Sequence, residues 1–137
     1  MVGAGPAGLA CSTVAAQRGH AVTLFDAAGE IGGQFNLAKR IPGKEEFHET
    51  LRYFRHRLEE TGVDVRLGTR VAAADLAGFD EIVLATGIVP RRVDFPGADH
   101  PMVVSYVDVL TGRVAVAGRV AIIGAGGIGF DVGEFLV

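Results

Sequence analysis

The run Gly3-Ala4-Gly5-Pro6-Ala7-Gly8 returns with the same G-x-G-x-x-G spacing at Gly124-Ala125-Gly126-Gly127-Ile128-Gly129. This spacing suits a tight turn from a strand into a helix. The first glycine makes the turn, the second lets a pyrophosphate approach the backbone, and the third lets the helix pack closely. The free N–H groups and positive dipole end of such a helix attract phosphate. A single match also fits an ordinary glycine-rich turn, so the flanking residues decide. After Gly8, residues 9–18 are small and apolar enough for a buried helix, and Gly19 ends it. Pro6 is tolerated in the first helical turn. Ala21-Val22-Thr23-Leu24-Phe25 reads as a strand, and Asp26 lies 18 positions after Gly8. That is close to the roughly 20 positions between the glycines and a ribose-binding acid. A carboxylate there accepts both ribose hydroxyls and repels a 2′-phosphate, so the first site is expected to take FAD or NAD rather than NADP.

The 137 residues are 49% apolar with a net charge of −3, enough for one domain with a real core. No basic run with interleaved aromatics points to nucleic acid. No apolar stretch of about 18 residues and no secretory leader is present, so the expectation is a soluble, cytoplasmic chain. Cys11 is the single cysteine, which excludes a disulfide and a Cys-x-x-Cys redox pair. It is expected as a small helix residue against the sheet. His20, His48, His56 and His100 have no metal-ligand spacing, and no metal site or catalytic side chain is assigned.

A nucleotide-binding unit ordinarily has a whole buried strand before its first glycine, and only Met1-Val2 stand there. The initial strand is therefore expected to be missing. Past Asp26, the Gly32-Gly33-Gln34 run serves either a plain turn or a backbone brought close to a ligand. Ile41-Pro42-Gly43 is a turn. Lys44 beside it could meet a phosphate or flavin edge, or stay solvated. Residues 45–61 form the clearest amphipathic helix, with Phe47, Leu51, Phe54 and Leu58 on one face. Its opposite face is expected to carry pairs such as Arg55 with Glu59. Val63 to Leu67 alternates as a half-buried strand, and residues 70–72 continue extended. Glu81 to Ala85 is expected as a buried strand delivering Thr86-Gly87 to the sheet edge where ligands collect. Val103 to Leu110 reads as a short strand into a short helix, and Val120 to Ile123 as a second buried strand before the second glycine run.

Two such runs flanking a Thr-Gly strand suggest a flavin and a nicotinamide cofactor in one reductase. The expected fold is α/β, a Rossmann-like FAD/NAD(P)-binding fold truncated at both ends. Residues 1–101 are expected to be the first part of an FAD domain, 102–118 a connector, and 119–137 the start of an NAD(P)H domain. The position that would read the second ribose falls past Val137.

Several longer stretches resemble bacterial NADPH-type 2,4-dienoyl-CoA reductase. They are residues 2–10, 22–26, the Glu30-to-Asn36 run, Ile41-Pro42-Gly43-Lys44-Glu45-Glu46-Phe47, residues 84–91, Ser105 to Leu110 and Val120 to Asp131. The Gly-Gly-Gln-Phe-Asn and Ile-Pro-Gly-Lys-Glu-Glu runs are the most specific. The resemblance implies a flavin barrel followed by an FAD domain interrupted by an NADPH domain. It implies hydride transfer from NADPH to FAD, then single electrons through a [4Fe–4S] cluster to FMN, which reduces the dienoyl-CoA. It places FAD contacts at Ala7, Asp26, Gln34, Lys44 and Val71, with Gly87 on the flavin side. It places the NADPH pyrophosphate at Gly124, Gly126 and Gly129. The barrel, the cluster cysteines and the residues acting on the thioester are not in these 137 residues, so the chain is expected to be an internal fragment, inactive alone. A trimethylamine dehydrogenase-like enzyme or a barrel-bearing NADH oxidase shares this architecture, and a non-catalytic dinucleotide-binding module is the reading from another class.

Overall fold

The computed structural model describes residues 1–91 and 93–137. Gly5, extended at φ −75° and ψ −179°, is the N-cap of α1 (Pro6–Gln17), with Pro6 at its start. The helix stops where Gly19 takes a positive φ, as a glycine past a helix end does. Strand β1 (Thr23–Phe25) follows, then the short α2 (Phe35–Ala38) and the amphipathic α3 (Glu46–Glu60). Strand β2 (Asp64–Arg66) pairs parallel with β1 in the register Thr23–Asp64, Leu24–Val65 and Phe25–Arg66. A 3₁₀ turn over Ala73–Leu76, α4 (Tyr106–Leu110) and α5 (Gly127–Leu136) complete the described elements.

Two compact units divide the chain. The first holds residues 1–36 and 46–88, the second residues 37–45 and 89–137.

In the first unit, Val2 forms parallel bridges to Phe25 on one side and Leu84 on the other. The extended stretches thus lie in the order 84, 2, β1, β2. Parallel neighbours joined through α1 and α3 are the arrangement expected of a βαβ unit. Leu9 and Leu24 are fully buried, and with Ala4, Ile31, Leu51, Leu58 and Val63 they form the core. Removing one such leucine from water stabilises the fold by roughly 1.5–3 kcal/mol. The α3 face behaves as its spacing predicts, with Leu51 and Leu58 buried and Phe47 stacked on Phe35 at 4.5 Å between ring centroids.

In the second unit, Ile41, Leu110 and Val132 are buried together, packed by Leu37, Tyr106, Phe135 and Leu136. The compact units do not divide at 101. Residues 37–45 join the later part of the chain because Ile41, 1% exposed, has its apolar partners on α4 and α5.

Five local expectations are corrected. Residues 81–85 are extended but are not a buried strand: Leu84 makes one bridge, and Ile82, Val83 and Leu84 are exposed. Val120, Ile122 and Ile123 are also exposed and belong to no strand among the described residues. Both runs are apolar enough for a sheet interior, but strand burial depends on neighbours. Cys11 is exposed, because the buried face of α1 is Gly8, Leu9, Ser12 and Thr13; position 11 is turned away by the 3.6-residue period. On α3, Glu49 pairs with Arg52 and Arg57 with Glu60, three apart, and no ion pair joins Arg55 to Glu59 among the described residues. Arg55 and Glu59 instead border a cleft of about 440 Å³ over Ile31, Leu58, Val63, Val65 and Leu67. The stretch 103–105 precedes α4 without forming a strand.

Candidate dinucleotide sites

The first glycine run is braced from three sides. The Gly3 N–H donates to the Phe25 carbonyl at 2.7 Å, the Val2 N–H to the Val83 carbonyl at 2.9 Å, and the Ala85 N–H to the Val2 carbonyl at 2.7 Å. Gly3 sits at φ +108°, a conformation open to glycine, and a Cβ there would strike the Ala85 carbonyl. A Cβ on Gly8 would strike the Gly3 carbonyl, so the first and third glycines touch. Gly5 has nothing within 4 Å of its Cβ position. That open space lies at the start of α1, whose first turn carries no side-chain cap. A concave backbone with unclaimed N–H groups at a helix start fits a pyrophosphate.

Asp26, at the end of β1, faces the same turn. Its Oδ2 accepts the Ala4 N–H at 2.6 Å, and its Oδ1 accepts the Ala28 N–H at 2.7 Å. Its backbone is held as well: the Asp26 N–H donates to Arg66 and the Thr69 N–H to the Asp26 carbonyl. An ionised carboxylate has about four acceptor positions, so two remain for ribose hydroxyls.

The Gly32-Gly33 turn closes the site. The Gly32 N–H donates to the Ala4 carbonyl at 2.8 Å, and a Cβ on Gly33 would lie 3.1 Å from the Gly5 Cα. The turn is therefore pressed against the first glycine loop, and Gln34 is exposed beside it. Ala7 is exposed on the first turn of α1, and Val71, half-buried, lies two residues beyond the Thr69 contact. Gly87, at φ +75°, follows the Ala85 contact to Val2 and Gly3. The structure thus brings Gly3, Gly5, Gly8, Asp26, the Gly33-Gln34 turn and the 85–87 stretch to one end of the parallel strands.

The second glycine run repeats the geometry inside the second unit. Gly124 is at φ +118°, and a Cβ on Gly129 would strike the Gly124 carbonyl. Gly126 is an extended N-cap at φ −89° and ψ −179°, without a side-chain cap, and nothing lies within 4 Å of its Cβ position. Among the described residues of this unit, no carboxylate is bonded to the glycine-loop N–H groups as Asp26 is to Ala4. Lys44 also belongs to this unit, and its Nζ donates to Asp131 Oδ1 at 2.6 Å.

The spacing alone did not reveal the Ala4–Asp26 bond, the Gly33–Gly5 contact or the Lys44–Asp131 pair. The first two follow from a carboxylate and a glycine pair just after a strand. The third joins residues 87 apart, with no local signal linking them.

Glycine turns at the ends of parallel strands, an acid at the tip of the neighbouring strand and two open helix starts define a dinucleotide-binding α/β protein. The chain belongs to the family of pyridine nucleotide-disulphide oxidoreductases, whose family model matches residues 1–137, and its fold is the Rossmann-like FAD/NAD(P)-binding fold. It is similar to N,N-dimethylglycine/sarcosine dehydrogenase of Chromohalobacter salexigens, 41% identical over 83% of this chain and 18% of that protein. It is also similar to NADH oxidase of Thermoanaerobacter brockii, 34% identical over 99% of this chain and 22% of that protein. Among solved structures, a 2-naphthoyl-CoA reductase in complex with 2-naphthoyl-CoA superposes with a TM-score of 0.93 at 34% identity, covering 98% of this chain and 21% of that one. The chain spans about a fifth of the length of these relatives. No helix among the described residues is long and apolar enough to cross a membrane.

Proposed function

We propose that the chain is the FAD- and NADPH-binding part of a longer flavoprotein reductase, passing reducing equivalents from NADPH to FAD for the reduction of a 2,4-dienoyl-CoA. The observation that carries this reading is the duplication of one loop geometry. Gly3, Gly5 and Gly8 in one unit, and Gly124, Gly126 and Gly129 in the other, make the same turn with the same open second glycine. Two such loops suit two dinucleotides. Asp26 discriminates them, since its carboxylate accepts ribose hydroxyls and repels a 2′-phosphate, which assigns FAD to the first loop. The α1 start would hold the pyrophosphate, and Ala7, Gln34, Val71 and Gly87 would complete the FAD contacts. Bound FAD supplies an acceptor for hydride and a donor of single electrons. The likeness to a reductase of an unsaturated acyl-CoA supports the thioester substrate.

The test is anaerobic mixing of the complete flavoprotein carrying these residues with NADPH and with NADH, followed by 2,4-dienoyl-CoA. Bleaching of the flavin by NADPH, and its return on adding the thioester, is the expected result. A flavin bleached by neither nucleotide overturns the reading. The 41% identity to an N,N-dimethylglycine/sarcosine dehydrogenase favours a second reading, oxidation of a methylated amine. Bleaching by dimethylglycine or sarcosine would establish that one instead.

A further inference from the structure

The two glycine loops are anchored differently, and the second raises a question of support. The residues before it, Val120 to Ile123, are exposed and pair with no strand among the described residues. The loop is therefore held from the helix side. Gly129 abuts the Gly124 carbonyl, and two and three residues further along α5 stand Asp131 and Val132. Val132 is buried against Ile41 and Leu110. Asp131 takes the Lys44 ammonium at 2.6 Å, with 36% of the lysine and 28% of the aspartate side chain exposed.

Lys44 is itself fixed. Its N–H donates to the Ile41 carbonyl at 3.1 Å, and Ile41 is 1% exposed. Four positions from Lys44 toward the N-terminus, past Ile41, Arg40 Nη1 donates to the Leu110 carbonyl at 3.0 Å, at the end of α4, where a cation suits the helix dipole. The segment 37–45 thus grips α4 with Arg40, fills the core with Ile41 and grips α5 with Lys44.

We infer that Lys44 is a positioning residue for the second nucleotide loop, holding the first turns of α5 through Asp131, rather than a direct FAD contact. This rests on the reading that the second loop binds NAD(P)H. With the pair intact, the N–H groups at the α5 start are held where a pyrophosphate needs them. Without it, the helix is restrained by the apolar packing of Val132, Phe135 and Leu136, and the loop must be ordered at the moment of binding.

The experiment uses the complete flavoprotein and Asp131→Asn, Lys44→Met, Lys44→Arg and the charge-swapped double variant Lys44→Asp/Asp131→Lys. Rapid-mixing reduction gives the NADPH dissociation constant and the limiting rate separately, and bound FAD is counted by absorbance. For Asp131→Asn the expected result is an about fivefold weaker NADPH affinity, the scale of a partly exposed ion pair, with limiting rate and FAD content unchanged. Lys44→Met should match it, and Lys44→Arg and the swap should restore affinity. Loss of FAD from Lys44→Met with no change in Asp131→Asn would make Lys44 a flavin contact and overturn the inference, as would unchanged affinity in both. If neither NADPH nor NADH reduces the parent protein, the functional reading fails by itself. Hydrogen exchange of the Phe130 amide, bonded to the Gly126 carbonyl at 3.2 Å, then decides the inference. An about fivefold faster exchange in Asp131→Asn sustains it, and an unchanged rate overturns it.

Discussion

The first and second glycine loops share a sequence pattern and a backbone, yet differ in what surrounds them. Gly3 and Gly124 take nearly the same positive φ, +108° and +118°. In both runs the third glycine is pressed against the carbonyl of the first. But Gly3 is wedged against Ala85 and bonded to Phe25, while Gly124 has nothing within 4 Å of its Cβ position. The turn is thus a property of the local chain, and its bracing is a property of the sheet beside it. A loop can be ready to receive a phosphate in shape before anything holds it rigid.

Substituting alanine tests that division most strongly. Gly8→Ala and Gly129→Ala should be about equally harmful, each costing about 3 kcal/mol or more, because both place a methyl group on a backbone carbonyl that cannot move aside. Gly3→Ala should cost about as much, since strain at positive φ adds to its collision with Ala85. Gly124→Ala should cost only the strain, about 1–2 kcal/mol. Urea unfolding of the four variants measures the differences. Equal losses for Gly3→Ala and Gly124→Ala would show that the second loop is braced as firmly as the first.

A smaller effect is expected at Asp26, whose carboxylate is bonded to the first loop through the Ala4 N–H. Asp26→Ala leaves the Ala4 and Ala28 N–H groups without their acceptor, a destabilisation of about 1–3 kcal/mol. On the proposed reading it also removes the ribose acceptor, so FAD content of the complete flavoprotein should fall while NADPH affinity stays as it was. Unchanged flavin content in that variant would remove Asp26 from the site.

The smallest effect concerns α4, which supports the second unit. The Ser105 hydroxyl donates to Asp108 Oδ2 at 2.7 Å and accepts the Asp108 N–H at 3.1 Å, closing the helix start. The Ser105 hydrogen bond, then Arg113, holds the Asp108 carboxyl below its ordinary value of 3.8. A depressed folded pKa means that this stabilisation is fully present above the unfolded value and is lost as pH falls through the folded one. A carbon-detected NMR titration of Asp108 should therefore show its midpoint below 3.8. Ser105→Ala should move it back up. A midpoint that stays put would mean that the cap does not set the charge.

Much of the first site was legible in the chain because it is built from short-range geometry. The glycine spacing, Pro6, the apolar β1 and the acid at Asp26 each act within a turn or one crossover, and all stand where those rules place them. The exposure of Cys11 is a matter of phase: the helix is legible, but an almost uniformly small and apolar segment does not reveal which face it buries. The errors at 81–85 and 120–123 have another origin. Their composition matches a sheet interior, but composition cannot supply the neighbouring strands that would bury them.

The sequence by itself determined the two glycine-loop turns, the helices they open and the acid at the end of β1, because backbone sterics and helix capping operate over a few residues. Only the tertiary structure decided that Val2 lies between Phe25 and Leu84, that Gly33 presses on Gly5, and that residues 37–45 leave their sequence neighbours to hold α5 through Ile41 and Lys44. Those contacts join positions up to 91 residues apart. They are selected by burial of apolar surface and pairing of charge, which favour whichever surfaces the folded chain brings together.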